Sequence, residues 1–235
     1  MEKNEIKIMD CTIRDGGLMN NWKFSDELVR SVCKSCEEAG IEYMDIGYKS
    51  SRPFSSSEEY GPWKFCAEED LLRITGGKKG KLKLSAVAVI NRIEPDDIPQ
   101  KKNSLLDMLR IACQPHEVDQ AVELAEHCLD KGYEVSVNMM AISKAGETTL
   151  DRALTRLSAS KVPVVYVADS FGSMDGTTVR ALVRKYRDFL PEKTLGIHAH
   201  NNMQMAVSNT LTARDNGAAL LDASLLGMGL GAGNC

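Results

Sequence analysis

Two of the four histidines in this 235-residue chain stand one residue apart, in Gly196-Ile197-His198-Ala199-His200-Asn201-Asn202. On a β-strand, residues i and i+2 point to the same face, so the two imidazoles would project together. Such a pair can grip one divalent ion through two ring nitrogens. A carboxylate would complete the set and leave positions open to water or substrate. The preferred carboxylate is Asp15, in Asp10-Cys11-Thr12-Ile13-Arg14-Asp15-Gly16-Gly17, with the Arg14 cation beside it. Mixed nitrogen and oxygen ligation suits Mn²⁺, Mg²⁺, Zn²⁺ or Fe²⁺ and does not choose among them. A His-x-His strand can also be two satisfied core histidines, so the surrounding elements have to decide.

Those elements repeat. Ile6–Asp10 alternates apolar and polar residues as a strand does, and further strand-like runs lie at Tyr43–Gly47, Leu82–Val89, Leu105–Ala112, Glu134–Ala141, Val162–Ala168, Thr194–His200 and Ala219–Leu225. Helical patterns lie between most of them: a Ser25-capped segment to Ala39, then Pro115–Lys131, Thr148–Ser160, Gly176–Leu190 and Met203–Asn216. Gly40, Gly132 and Gly217 stand where helix-ending glycines belong. Eight strands alternating with helices predict a TIM (β/α)8 barrel, for which about 250 residues is typical. An open doubly wound sheet would use the same units. No linker or further repeat interrupts the chain, so one domain is expected over residues 1–235. The sequence stops at Cys235 where an eighth helix would begin. That helix is expected to be absent or truncated, or its place taken by something else, such as a partner subunit.

A barrel gathers its strand C-termini into one cup. Besides Arg14, Asp15 and the two histidines, that cup would hold Asp45 with Tyr48, Asn138, Asp169 with Ser170, Asp222, and the run Gly227 to Asn234. Two long connections, 49–66 and 91–103, follow strands and so would lie at the same face, as lids or binding loops. Gly227, Gly229, Gly231 and Gly233 recur at every second position, which does not fit the G-x-G-x-x-G dinucleotide fingerprint. They either let the backbone approach a ligand, Gly231 being the candidate contact, or make a tight turn.

Composition narrows the field. A net charge of −4 argues against a nucleic-acid surface. No apolar run approaches the roughly 20 residues of a membrane helix. The N-terminus has no apolar signal core, so a cytoplasmic location is expected, with the seven cysteines reduced. Cys33-Lys34-Ser35-Cys36 has redox-motif spacing but sits late in a helical pattern, where packing is the expectation.

Thr12-Ile13-Arg14-Asp15-Gly16, His198-Ala199-His200-Asn201-Asn202 and Gly229-Leu230-Gly231-Ala232-Gly233-Asn234 together resemble the signatures of the DRE-TIM metallolyases. These include 4-hydroxy-2-oxovalerate aldolase, hydroxymethylglutaryl-CoA lyase and the isopropylmalate and homocitrate synthases. The His-Ala-His-Asn-Asn form and Ala223-Ser224 with the glycines after it are most similar to the 4-hydroxy-2-oxovalerate aldolase branch. The resemblance implies Asp15, His198 and His200 as metal ligands with Asn234 near the metal, Arg14 as the arginine that stabilises an enolate oxygen, and Ser170 beside the ketoacid. Asn138 and Gly231 join Arg14 and Ser170 as candidate substrate contacts.

The implied activity is making or breaking a carbon–carbon bond next to a 2-oxoacid through a pyruvate-type enolate. The implied cofactor is Mn²⁺ or Mg²⁺, with Zn²⁺ as an alternative. Implied partners are a 2-oxoacid, an aldehyde, further copies of the chain and a dehydrogenase. One departure stands out: the branch's histidine base, shortly after Arg-Asp-Gly, is missing from Gly17-Leu18-Met19. Tyr48, Lys49 or a water on the metal is left for that role. The lyases' glycine-loop cysteine also has no match, since Cys235 follows Asn234. Other readings are a Claisen-type acyltransferase joining acetyl-CoA to a 2-oxoacid, and a non-catalytic barrel subunit.

Overall fold

A computed structural model describes residues 5–51, 58–77 and 80–235. Its strands are β1 (Lys7–Asp10), β2 (Tyr43–Tyr48), β3 (Lys83–Val89), β4 (Met108–Cys113), β5 (Glu134–Met139), β6 (Val164–Asp169), β7 (Thr194–Ala199) and β8 (Ala218–Ala223). Each pairs in parallel with the next, and β8 closes onto β1 in the register Lys7–Leu220 to Asp10–Ala223. This is the expected TIM barrel, and closure rules out the open sheet.

Around it lie α1 (Thr12–Gly16), α2 (Asp26–Glu38), α3 (Glu68–Thr75), α4 (Val118–Asp130), α5 (Glu147–Ser158), α6 (Gly176–Phe189) and α7 (Ala206–Asp215). Local chemistry starts them where the sequence indicates. The Ser25 hydroxyl accepts from the Leu28 amide at 3.2 Å to cap α2, and the Asp175 carboxylate accepts from Thr178 at 2.8 Å to cap α6. Helix α2 turns Val29, Val32 and Cys36 inward at helical spacing. Burial pushes the Cys33 and Cys36 thiols up to about 12, so they are packing groups, as expected.

Two elements differ from the sequence pattern for physical reasons. The stretch Thr12–Gly16, where the sequence pattern indicates no helix, is a one-turn helix whose five residues are all buried; five residues carry no period to detect. Helix α3 lies outside the helical patterns of the sequence although its end signals are present: acidic residues fill its first turn and Gly76 closes it with φ +63°. As the sequence pattern indicates, no α-helix follows β3, and the chain crosses to β4 through two 3-10 turns, Pro95–Asp97 and Lys101–Asn103. Among the described residues, no α-helix follows β8. Residues 52–57 of the long connection at 49–66 lie outside the described residues. Among the described residues, no helix is long and apolar enough to cross a membrane.

The main core lies between strands and helices, with Ile46, Ile111, Val137 and Leu195 fully buried against helical residues such as Val122 and Val183. The barrel's interior differs. Barrel interiors are usually filled with branched apolar side chains, but here Asp45, Ser85, Arg110, Ser136, Tyr166 and Asp222 are buried inside. Gly196 makes room for one of them, because a Cβ there would stand 2.5 Å from the Tyr166 ring.

Candidate functional site

The turn α1 ends β1 by folding over the barrel mouth, which brings Arg14 and Asp15 to the end of β7. Donor atoms of Asp15, His198 and His200 lie within 4.8 Å of one another, and all three residues are buried. His198 Nε2 is 4.0 Å from Asp15 Oδ1, and His200 Nδ1 is 3.9 Å from Asp15 Oδ2. Two donors, each about 2.1 Å from one ion, stand at most roughly 4.2 Å apart, so both edges fit a shared ion. The imidazole planes meet at 85° with centroids 5.0 Å apart, edge to face.

The hydrogen bonds around the histidines agree with a shared ion. His198 Nδ1 lies 2.9 Å from Asp222 Oδ2, while its Nε2 is buried without a partner. A buried polar atom left unpaired is costly, and a divalent ion is the partner this nitrogen suits. The Asn234 amide nitrogen donates to Asp15 Oδ2 at 2.6 Å, and its Oδ1 is buried and unpartnered too. Strand β7 ends at Ala199, one residue before the expected end, and His200 instead forms an isolated antiparallel bridge to Asn234. One carboxylate and two imidazoles therefore converge, with the Asn234 side chain bonded to the carboxylate, and the residues present fit a divalent ion.

The alternate glycines explain how the chain's end reaches this point. Gly227, Gly231 and Gly233 all have positive φ, and a Cβ on Gly229 would stand 2.7 Å from Asp15 Oδ2. The Leu230 amide donates to that same oxygen at 3.3 Å. The loop thus makes both a tight turn and a close approach, but to the Asp15 carboxylate.

Electrostatics follow from burial and neighbours. Burial alone would raise the Asp15 carboxyl, but Arg14, the two histidines and the Asn234 amide outweigh it and hold it at about 2. Burial, then His198, lowers His200 to about 4, so it is neutral at pH 7. Burial raises the Tyr48 phenol, which keeps it a neutral donor.

Arg14, Asp15, Tyr48, Asn138, Ser170, His198 and His200 line one cleft of about 190 Å³. Leu18, Val87, Val89, Ala112, Met140, Ala168 and Leu230 form its apolar wall. The structure thus brings together the residues singled out in the sequence, with Asn234 behind Asp15. Gly231 is not among the lining residues; its neighbour Leu230 is. The Ser170 hydroxyl accepts from the Ala141 amide at 3.0 Å, and Asn138 Oδ1 accepts from Ser136 at 2.8 Å. Lys49 donates to the Cys66 carbonyl at 3.1 Å and does not line the cleft.

Two supports of the site leave little trace in the sequence. Trp22 donates its indole N–H to the Arg14 carbonyl at 2.8 Å, and Lys64 lies 4.2 Å over Trp22 and 4.6 Å over Tyr48. Beneath the cleft, Arg110 bonds both Asp45 and Asp222. Its only sequence signal is a charge inside the apolar run Met108-Leu109-Arg110-Ile111-Ala112-Cys113.

Residues 5–235 match the HMGL-like family, and the chain belongs to it. It is 33% identical over 230 residues to an oxaloacetate decarboxylase of Mycobacterium tuberculosis, covering 97% of this chain and 66% of that protein. It is 29% identical to a 4-hydroxy-2-oxovalerate aldolase of Geobacillus genomosp. 3, covering 100% of this chain and 68% of that one. The chain therefore spans about two thirds of the length of these curated relatives. The solved N-terminal domain of a Bacteroides vulgatus protein of inferred aldolase activity superposes with a TM-score of 0.87 at 31% identity, covering 97% of this chain and 76% of that one. The DRE-TIM resemblance is borne out, and the relatives stand with carbon–carbon lyases, as the sequence indicated.

Proposed function

We propose that this chain is a divalent-metal-dependent lyase that breaks or forms a carbon–carbon bond next to a 2-oxoacid through a pyruvate-type enolate. The observation that carries this reading is the unpartnered His198 Nε2, which faces Asp15 and His200 at the mouth of a cleft that Arg14 also lines. Asp15, His198 and His200 would hold the ion, with Asn234 Oδ1 beside them; Mn²⁺ or Mg²⁺ is the choice, with Zn²⁺ as the alternative. Bound there, the ion supplies Lewis acidity toward the carboxylate and keto oxygens of a 2-oxoacid.

The chain's own groups do the rest. Bond cleavage leaves negative charge on the former keto oxygen, and the Arg14 guanidinium, fixed by Asp15 and Asp45, is placed to stabilise it. Tyr48, neutral and beside Arg14, offers a hydroxyl to the same oxygen. Asn138 and Ser170 orient the carboxylate end. The apolar wall excludes water from the enolate, which strengthens these charge interactions.

A second reading is favoured by Leu18. Aldol cleavage needs a group to take the proton of the alcohol, and Leu18 lines the cleft where the aldolase branch carries its histidine. Decarboxylation of a 2-oxoacid with a carboxylate β to the keto group reaches the same enolate by releasing CO₂, with no alcohol proton to remove. The M. tuberculosis relative is named for that reaction. Aldol cleavage would also release an aldehyde, for which the family resemblance offers a dehydrogenase partner. The seven unpaired cysteines suit a reducing compartment such as the cytoplasm.

Proton–deuterium exchange at the methyl group of pyruvate, with and without Mn²⁺, tests enolate formation under either reading. Exchange that depends on the metal is expected. Absence of exchange, with no Mn²⁺ bound by the purified protein, refutes the proposal. Pyruvate release from oxaloacetate or from 4-hydroxy-2-oxovalerate then separates the two readings.

A further inference from the structure

Arg110, on β4, is fully buried inside the barrel beneath the cleft. Its Nη1 donates to Asp45 Oδ2 at 2.6 Å and its Nη2 to Asp222 Oδ2 at 2.5 Å. Each of those oxygens has a second partner. Asp45 Oδ2 also accepts from Arg14 Nε at 3.0 Å, and Asp222 Oδ2 lies 2.9 Å from His198 Nδ1. One guanidinium therefore stands behind both the cation that lines the cleft and the histidine whose free nitrogen faces the proposed ion. Its plane lies 4.5 Å over the Tyr166 ring, which limits it to this pose.

We propose that Arg110 is a positioning residue that sets Arg14 and His198 together, through Asp45 on one arm and Asp222 on the other. The inference rests on the metal and enolate reading above. A rigid planar fork suits the task, because its two N–H edges fix the relative placement of two carboxylates where a lysine would give one mobile point charge. A carboxylate behind a metal-binding imidazole fixes the ring's tautomer and direction, and losing such a group typically weakens metal affinity by about 10- to 100-fold. Asp45 bonds no ligand itself and reaches the site through Arg14, which also contacts Asp15, so it would act chiefly on the chemistry and only weakly on the ion. A purely structural ion triad inside the core, the alternative, predicts no such division.

The experiment measures Mn²⁺ affinity by the loss of the free-ion electron paramagnetic resonance signal, alongside pyruvate methyl exchange and thermal unfolding. Asp222→Asn is expected to weaken Mn²⁺ binding by about 10- to 100-fold. Asp45→Asn is expected to keep Mn²⁺ affinity within about threefold while lowering the exchange rate at saturating metal by about tenfold or more, in the range of lost charge stabilisation. Arg110→Met should lose on both readouts. If that variant does not fold, Arg110→Lys, which keeps the charge and loses the fork, decides the matter by the same double loss. Folded Arg110 variants with both readouts near wild type overturn the inference. So do Asp45 and Asp222 variants whose losses are indistinguishable. If the wild-type protein binds no Mn²⁺, it is the metal reading that fails, and this inference goes with it.

Discussion

His198 Nδ1 lies 2.9 Å from Asp222 Oδ2, and the ring's other nitrogen is buried with no partner. The carboxylate fixes the tautomer in which Nδ1 carries the proton and leaves the Nε2 lone pair facing Asp15 and His200. The ring is thus prepared to give electrons to something in the cleft, and a satisfied core histidine would not be left in this state.

Removing a neighbouring donor should therefore empty the site. His200→Ala is expected to weaken Mn²⁺ binding by more than the roughly 10- to 100-fold that outer groups cost, and to abolish metal-dependent exchange of pyruvate methyl protons. Titration calorimetry with Mn²⁺ checks the first, and proton NMR in deuterated buffer the second. Unchanged activity in a folded His200→Ala protein would remove His200 from the ligand set.

Arg14 separates charge from geometry. Its Nε meets Asp45 at 3.0 Å and it also contacts Asp15, so its fork is held from two sides. Arg14→Lys keeps a cation without the bidentate hold. Exchange at saturating Mn²⁺ should fall by about 10²- to 10³-fold, as when an oxyanion donor is lost. Mn²⁺ affinity, by contrast, should change only a few-fold. A variant that loses metal affinity and exchange in proportion would mark Arg14 as a support for Asp15, with no role of its own at the enolate.

How much of this could be read from the sequence depends on distance along the chain. His198 and His200 were legible because a strand's period of two puts them on one face whatever the rest of the fold does. The eight strand ends predicted a common cup, and Arg14, Asp15, Tyr48, Asn138 and Ser170 do line one cleft. Arg110 was not legible, because its partners Asp45 and Asp222 stand 65 and 112 residues away and only barrel closure brings them together. The left-handed glycines were visible as a pattern, but the choice between turn and close approach needed the Asp15 carboxylate in place. Helix α1 was hidden for the opposite reason: it is too short for any period, and the contacts that hold it are tertiary.

The buried histidine gives a pH dependence whose sign can be worked out. His200 is lowered from 6.5 to about 4 in the folded protein, chiefly by burial. Between those values the unfolded chain holds a proton that the folded one refuses, so apoprotein stability falls as pH drops from 6.5 toward 4. At pH 5 the cost is about 2 kcal/mol, at roughly 1.4 kcal/mol per pH unit. Asp10 runs the other way: burial raises it from 3.8 to about 6, so its contribution is complete below 3.8 and is lost as pH rises through 6. The comparison that isolates His200 is wild type against His200→Gln in chelator, by urea unfolding at pH 7.5 and pH 5. The variant should gain on wild type at the lower pH; a constant difference would mean that His200 titrates normally.

Leu18 makes the last prediction. It occupies the apolar wall of the cleft, next to the elements that carry Arg14 and Tyr48, and those two groups, the titratable lining residues that are not proposed ligands, both hold their protons more tightly than usual. If the missing base is what limits aldol cleavage, Leu18→His should raise pyruvate release from 4-hydroxy-2-oxovalerate by about 10²-fold or more, the lower range for a positioned general base. Oxaloacetate decarboxylation, which has no alcohol proton to remove, should change little or fall as the cleft becomes more polar. Coupled lactate dehydrogenase assays on both substrates measure the ratio directly. A histidine that raises neither activity, in a variant that still binds Mn²⁺ and exchanges pyruvate protons, would show that something other than the base sets this cleft's substrate. The apolar wall of Val87, Val89 and Met140 would then be the next place to look.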